Sequence, residues 1–143
     1  MLGSPVLDVL SKNMQNKFPL AASLSTIAAM AVLHHLSLEY KLYFKVHWLD
    51  VFVHFIAGMG IVFLIIGIFH YSRSPRIQAF IYKKECLLII GALLALSIGI
   101  LWEIFEIWVG VIFASSYFMD TFIDIVADVS GGVLAAGLYS FTN

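Results

Sequence analysis

The stretches LWEIFEIWVG (residues 101–110) and DTFIDIVADVSGG (residues 120–132) decide the fold of this chain. Both are apolar enough to lie in a lipid bilayer, yet acids interrupt them at helical spacing. These acids are Glu103 and Glu106 in the first stretch and Asp120, Asp124 and Asp128 in the second. A charge at the bilayer centre costs about 2.5–3.5 kcal/mol on insertion scales, so such acids persist mainly where they face each other, water or an ion. The pattern predicts membrane-spanning helices whose acids point into a bundle.

Composition supports a membrane protein. The 143 residues are 62% hydrophobic and only 12% charged, and the mean hydropathy is +0.98. A soluble domain of this length could not bury so much apolar surface, so we expect one small domain in contact with membrane lipids. The net charge of −1 and the lack of a basic stripe argue against a nucleic-acid partner. The single cysteine, Cys86, excludes an internal disulfide and a cysteine-based metal cage.

Four apolar runs approach or exceed the ~20 residues that a helix needs to cross a bilayer. They cover residues 19–38, 48–71, 86–113 and 121–141. Helices are the expected form for so few spans, because each helix satisfies its own backbone hydrogen bonds. Residues 1–18 have an amphipathic pattern that favours an interfacial helix, with a flexible tail as the alternative. We therefore predict an all-α bundle of four transmembrane helices over residues 19–143, preceded by this short N-terminal segment.

Basic residues predict the orientation, since lysine and arginine concentrate on the cytoplasmic side. Six lie in the N-terminal segment and the second loop, and two lie in the first loop on the opposite side. The six are Lys12, Lys17, Arg73, Arg76, Lys83 and Lys84, and the two are Lys41 and Lys45. We expect an integral protein of the cell inner membrane with both termini in the cytoplasm.

With this orientation, three spans bring polar groups to the outer half of the membrane. His54 lies about 9 Å below the outer end of its span, Glu103 and Glu106 about 10–15 Å, and Asp124 and Asp128 about 6–12 Å. Carboxylates packed in one layer repel each other unless they take up protons or share a cation. We therefore predict a divalent ion.

The predicted ligands of that ion are His54, Glu103, Asp124 and Asp128. Imidazole and carboxylate donors suit Zn, Mn, Fe or Mg. Glu106 and Asp50, which begins an Asp-x-x-x-His pattern with His54, are the candidate catalytic bases.

Simpler interpretations exist for the same residues. Asp50 and Asp120 could be helix N-caps in the headgroup region, where aspartate is favoured. The deeper acids could be protonated and join helices by hydrogen bonds alone. Among the other outer histidines only His35 is a further candidate ligand, and Trp102 is most simply a packing residue.

The acids of the last three spans, together with His54, resemble the pattern of the VanZ-like family of small bacterial membrane proteins. Asp50 and His54 in LDVFVHF are similar to its Asp-x-x-x-His motif. LWEIFE is similar to its glutamate followed by a polar residue, and DIVADVSG to its Asp-x-x-x-Asn-x-x-Gly motif.

The chain departs from the family pattern at three points. Glu106 stands where that family usually has glutamine, Asp128 stands where it usually has asparagine, and the family's arginine before the last helix is absent. The resemblance implies a membrane fold, and some VanZ-like members are linked with resistance to glycopeptide antibiotics such as teicoplanin. The departures make this site more acidic and favour a cation.

Three functions fit the sequence. The first is an enzyme whose metal ion acts on a lipid or isoprenoid-linked headgroup at the outer leaflet. The second is a transporter or proton-coupled carrier that uses the acids as a relay. The third is a non-catalytic accessory or assembly protein, since the glycine-rich helix faces also suit a homo-oligomer or a membrane partner.

Overall fold

The computed structural model describes residues 5–72, 74, 76–77, 83–110 and 117–142, and within these ranges it describes side chains from Phe18 to Phe141. The described chain forms five helices and contains no strand. They are α1 (Pro5–Glu39), α2 (Leu42–Lys45), α3 (Trp48–His70), α4 (Lys84–Val109) and α5 (Tyr117–Thr142). Lys41, with a left-handed φ of 54°, forms the turn between α1 and α2.

Four of these helices contain segments long and apolar enough to cross a membrane: Phe18–Glu39, Trp48–His70, Lys84–Val109 and Tyr117–Phe141. This confirms the predicted all-α bundle of four spans. The helices are apolar on nearly every side, as expected where the surrounding solvent is lipid rather than water.

Two helix ends differ from the sequence prediction by four residues. The third span ends at Val109 rather than at residue 113, because Gly110 has a φ of 75° and terminates α4 in the left-handed conformation that glycine adopts readily. The last helix begins at Tyr117, four residues earlier than predicted, so Asp120 lies inside its first turn. Residues 111–113 of the predicted third span are outside the described residues.

The N-terminal segment and the first span form one continuous helix. α1 begins at Pro5, where proline suits a first turn, and passes through Pro19 without interruption. The boundary between residues 18 and 19 therefore falls within a helix. An interfacial location of the first part stays a prediction.

Helix α3 is central to the bundle. It packs against α1 on one side and α5 on the other, and α5 in turn packs against α4. The backbones of α3 and α5 approach most closely at two glycines. A Cβ atom on Gly58 would overlap the main-chain carbonyl of Asp128, and one on Gly131 would overlap that of Phe55. Small residues allow such close approach between membrane helices.

A cluster of apolar side chains fills the bundle on the far side of these glycines, toward the end of α3 and the start of α4. Its buried members are Val62, Phe63, Ile66, Leu87, Ala95, Ala135, Ala136 and Tyr139. We call this region the core half. The polar side chains described below lie toward the start of α3 and α5, in the region that we call the site half.

Candidate metal centre

His54 and Asp128 form the innermost pair of the site half. Nδ1 of His54 lies 3.0 Å from Oδ2 of Asp128, and both side chains are buried, at 4% and 5% exposure. The pair joins α3 to α5 directly beside the glycine contact. A carboxylate on one ring nitrogen fixes the orientation of the imidazole and leaves Nε2 for a ligand.

Two glutamates of α4 approach the same histidine. His54, Glu103 and Glu106 each offer one ligand atom, and these three atoms lie within 4.8 Å of one another. Glu103 is buried, and its Oε2 accepts a 2.6 Å hydrogen bond from the hydroxyl of Thr121. Glu106 is half-buried, and its Oε1 accepts a 2.9 Å bond from Nε1 of Trp102. We call these three residues the histidine triad.

Three aspartates form a second group. Asp50, Asp120 and Asp124 also offer ligand atoms within 4.8 Å of one another, and we call them the aspartate triad. Asp50 lies in the first turn of α3 after the cap residue His47, and Asp120 lies in the first turn of α5. The alternative that both acids are N-caps is therefore wrong, because each lies inside its helix.

Two of these buried acids have an oxygen without a partner. Oε1 of Glu103 and Oδ1 of Asp124 accept no hydrogen bond within the described part of the chain. A buried acceptor that bonds neither protein nor water costs about 1–3 kcal/mol, and more when it is charged. Each triad thus contains a buried oxygen that an additional donor or a cation would satisfy.

The four predicted metal ligands divide between these groups. The structure brings His54 together with Glu103, Glu106 and Asp128, as the common depth of the spans predicts. Asp124 joins the aspartate triad instead, and Asp128 contacts Nδ1 of His54 without belonging to either triad. Ligand roles for all four stay predictions.

A cavity of about 260 Å³ opens beside the histidine. Its walls are almost entirely apolar and come from α1, α3 and α4, and His54 and Asp128 are also among its lining residues. The lining residues are Ile27, Met30, His34, Val53, His54, Ala57, Ile61, Ile98, Gly99, Trp102 and Asp128. A Cβ atom on Gly99 would lie 2.6 Å from Oδ2 of Asp128, so this glycine leaves room for the Asp128 carboxylate.

Sequence reasoning missed two residues of this region and favoured the wrong histidine. His34, not His35, lines the cavity, and its ring contacts that of Trp102 at 5.8 Å between centroids. His35 is exposed on α1. Trp102 is more than packing, since it also bonds Glu106. Thr121 had a signal in the sequence, because it precedes Asp124 by three residues and so shares its helix face.

Tyr43 supports His34 from α2, outside the four spans. Its hydroxyl lies 2.8 Å from Nδ1 of His34 and its side chain is buried. Burial raises the pKa of Tyr43 well above its ordinary value. The hydroxyl therefore keeps its proton and is available as a donor to the histidine.

Comparison with known proteins gives the family. Residues 6–143 match the family described as "Predicted membrane protein (DUF2238)". The chain belongs to this family. No curated protein and no solved structure matches it. The DUF2238 match agrees with the four spans.

Proposed function

We propose that this protein binds a divalent metal ion in the outer half of the cell inner membrane and uses it to act on the headgroup of a lipid or isoprenoid-linked molecule. The observation that carries the proposal is the histidine triad, in which three donor atoms lie within 4.8 Å of one another. The Asp128 carboxylate accepts a hydrogen bond from Nδ1 of the imidazole and so orients it in this triad.

The donor set suits a metal ion with catalytic chemistry. His54 and Glu103 are buried and are the proposed ligands, and the free oxygen Oε1 of Glu103 is available for coordination. Catalytic sites commonly use few protein ligands and leave a position open for water or substrate. Zn, Mn, Fe and Mg are compatible with imidazole and carboxylate ligands.

A bound divalent ion would supply an activated water or polarise a phosphate oxygen of the headgroup. Glu106 is half-buried and held by Trp102 at the edge of the triad, and we assign it the role of general base. Asp50, one helical turn before His54, is the second candidate for that role.

The cavity favours a substrate with an apolar chain. Its volume of about 260 Å³ is slightly below the range of roughly 300–1,000 Å³ for pockets that hold whole small ligands. Its apolar walls suit the chain segment next to a headgroup, and a segment held there would contact His54, which lines the cavity. The resemblance to VanZ-like proteins rests on the residues of these same groups, and we propose that the two families share the site.

The core half argues against a carrier. A proton or ion path needs ionisable groups across the whole span. The described residues of the core half include no buried acid, and among their polar groups are Ser23 and His70, which contacts the hydroxyl of Tyr139. We also propose that both termini are cytoplasmic, which places the site half at the outer leaflet.

Elemental analysis of the purified protein is the first test. We expect bound divalent metal in the natural protein, loss of the ion held by the histidine triad in His54→Ala, and no change in the matched control Glu85→Gln. Glu85 is exposed at the opposite end of the helix that carries Glu103. A metal-free protein that becomes more stable with Glu103→Gln and Asp128→Asn would instead identify the acids as interhelical hydrogen-bond partners of an accessory protein.

The second test uses vesicles that contain a polyprenyl diphosphate or phosphatidic acid. The metal-loaded protein should release phosphate from one of these lipids, and His54→Ala should not. If the loaded protein binds these lipids without turnover in either case, the enzyme function is excluded for phosphate headgroups and the metal is structural.

A further inference from the structure

The aspartate triad differs from the histidine triad in composition and shares no residue with it. It contains only carboxylates, one from the first turn of α3 and two from the start of α5. Asp50 and Asp124 each lie about one helical turn, or about 5.4 Å along the axis, closer to the helix start than a residue of the inner pair, and Asp120 lies about one turn further still. Asp50 precedes His54 by four residues, and Asp124 precedes Asp128 by four.

Charge balance within this triad is incomplete. Asp124 is only 3% exposed, and its Oδ1 has no hydrogen-bond partner within the described residues. None of the lysines and arginines in the described ranges forms an ion pair with the three aspartates. Three carboxylates with donor atoms within 4.8 Å of one another repel strongly in a low-dielectric layer.

We propose that the aspartate triad is a second cation site, distinct from the histidine triad, and that the two together form a two-ion centre. A divalent ion between the three carboxylates would satisfy the free oxygen of Asp124 and neutralise their repulsion. Asp50 would then be a ligand, which leaves Glu106 as the general base. The all-oxygen donor set selects hard cations such as Ca²⁺, Mg²⁺ and Mn²⁺, whereas the imidazole of the other site favours Zn²⁺ or Fe²⁺.

A second ion would help to bind the phosphate of the headgroup. This part of the proposal rests on the proposed function. No arginine is present near the site in the sequence, although phosphate-binding proteins commonly use one. Two adjacent cations can replace it, because each binds a different oxygen of the same phosphate group. The headgroup would lie between the triads while its chain occupies the cavity beside His54.

The test is a Mn²⁺ titration of purified protein that a chelator has stripped of metal. Mn²⁺ suits both donor sets, and the free ion is counted by its paramagnetic resonance signal. We expect two Mn²⁺ per chain in the natural protein and in Glu85→Gln. Asp120→Asn keeps the side-chain volume and should bind one, and His54→Ala should also bind one.

Competition distinguishes the two sites in the natural protein without mutation. Excess Ca²⁺ should displace one Mn²⁺ from the aspartate triad and leave the other bound, and Zn²⁺ should displace the second. The ion retained by Asp120→Asn also reports that this variant is folded.

The outcomes separate this proposal from the proposed function. One Mn²⁺ that is lost in His54→Ala and retained unchanged in Asp120→Asn would overturn the second site and leave the proposed function intact. One Mn²⁺ that is lost in Asp120→Asn and retained in His54→Ala would overturn the proposed function and leave an aspartate site. Binding of no Mn²⁺ would overturn both.

Discussion

The two halves of the bundle use the same helices for opposite purposes. In the site half, α3 and α5 bury His54 against Asp128. In the core half, the same two helices bury Phe63 and Ile66 against Ala135 and Tyr139. At the boundary between the two halves, Gly58 and Gly131 bring the backbones of α3 and α5 into close contact. Shape and packing are thus shared, and only side-chain chemistry distinguishes a candidate reaction centre from a structural core.

The two halves also differ in what stabilises them. Burial of apolar groups gains little in lipid, so the core half is held mainly by close packing. The site half carries acids with free buried oxygens, which would destabilise the bundle without protons or a cation. The site half should therefore respond to metal removal, while the core half should respond to changes in volume.

The largest expected effect is in thiol labelling that tests which half of the bundle lies at the outer leaflet. Ser116 precedes α5 and lies outside the described residues. A cysteine at this position should react completely with an impermeant thiol reagent added to intact cells, because the basic residues predict an external loop. Cys86 is replaced by alanine first, so that it contributes no signal. Reaction only after the membrane is broken would invert the topology and move the site half to the cytoplasmic leaflet.

The next effect sharpens the role of Asp128 in the site half. Asp128→Asn should lower the metal affinity by about 10–100-fold, because the carboxylate orients the imidazole and raises its basicity. The metal content at saturation should stay the same, since His54 and the glutamates remain. Titration with Zn²⁺ measures both quantities. An unchanged affinity would show that the His54–Asp128 contact serves packing alone.

A smaller effect is expected where the halves meet. Gly58→Ala should destabilise the protein by about 1–3 kcal/mol, because its Cβ would overlap a main-chain carbonyl that cannot turn away. Gly137→Ala on α5 is the matched control, since nothing lies within 4 Å of its Cβ position. The control should be neutral or gain up to about 1 kcal/mol from helix propensity. Unfolding by detergent titration compares them, and equal stabilities would contradict the close approach.

The smallest effect is expected in the core half. Phe63→Leu removes an edge-to-face contact with Phe18, whose ring centroid lies 5.7 Å away, but keeps an apolar side chain of similar size. The free energy of unfolding should fall by less than about 1.5 kcal/mol. Metal content should not change. A loss of metal in this variant would mean that the halves are coupled and that their separation is incorrect.

Much of the architecture was predictable because it depends on patterns along single helices. The length of each apolar run predicts the spans, and the i, i+4 spacing of Asp50 with His54 predicts a shared face. Gly110 was a visible stop signal, but the apolar residues after it suggested a longer span. Its left-handed φ, rather than hydropathy, ends α4.

The assignment of acids to triads was not predictable from the sequence. Positions along a helix axis give a common layer about 10 Å thick, whereas a ligand set requires distances of a few ångströms. Those distances depend on how α4 and α5 pack together, which determines that Glu103 meets His54 and that Asp124 meets Asp50. In the same way, neighbouring His34 and His35 point about 100° apart on α1, and only the packing of that helix identifies His34 as the cavity residue.

Helix α1 contributes wall residues to the cavity but no member of either triad. Replacement of Ile27, Met30 or His34 would therefore change the cavity wall and leave every proposed ion ligand in place. Relatives with the same three ligand-bearing helices could then accept chains of different length or branching by varying one helix. On the proposed function, part of the wall that would contact the substrate chain is thus carried by a helix that holds none of the proposed ligands.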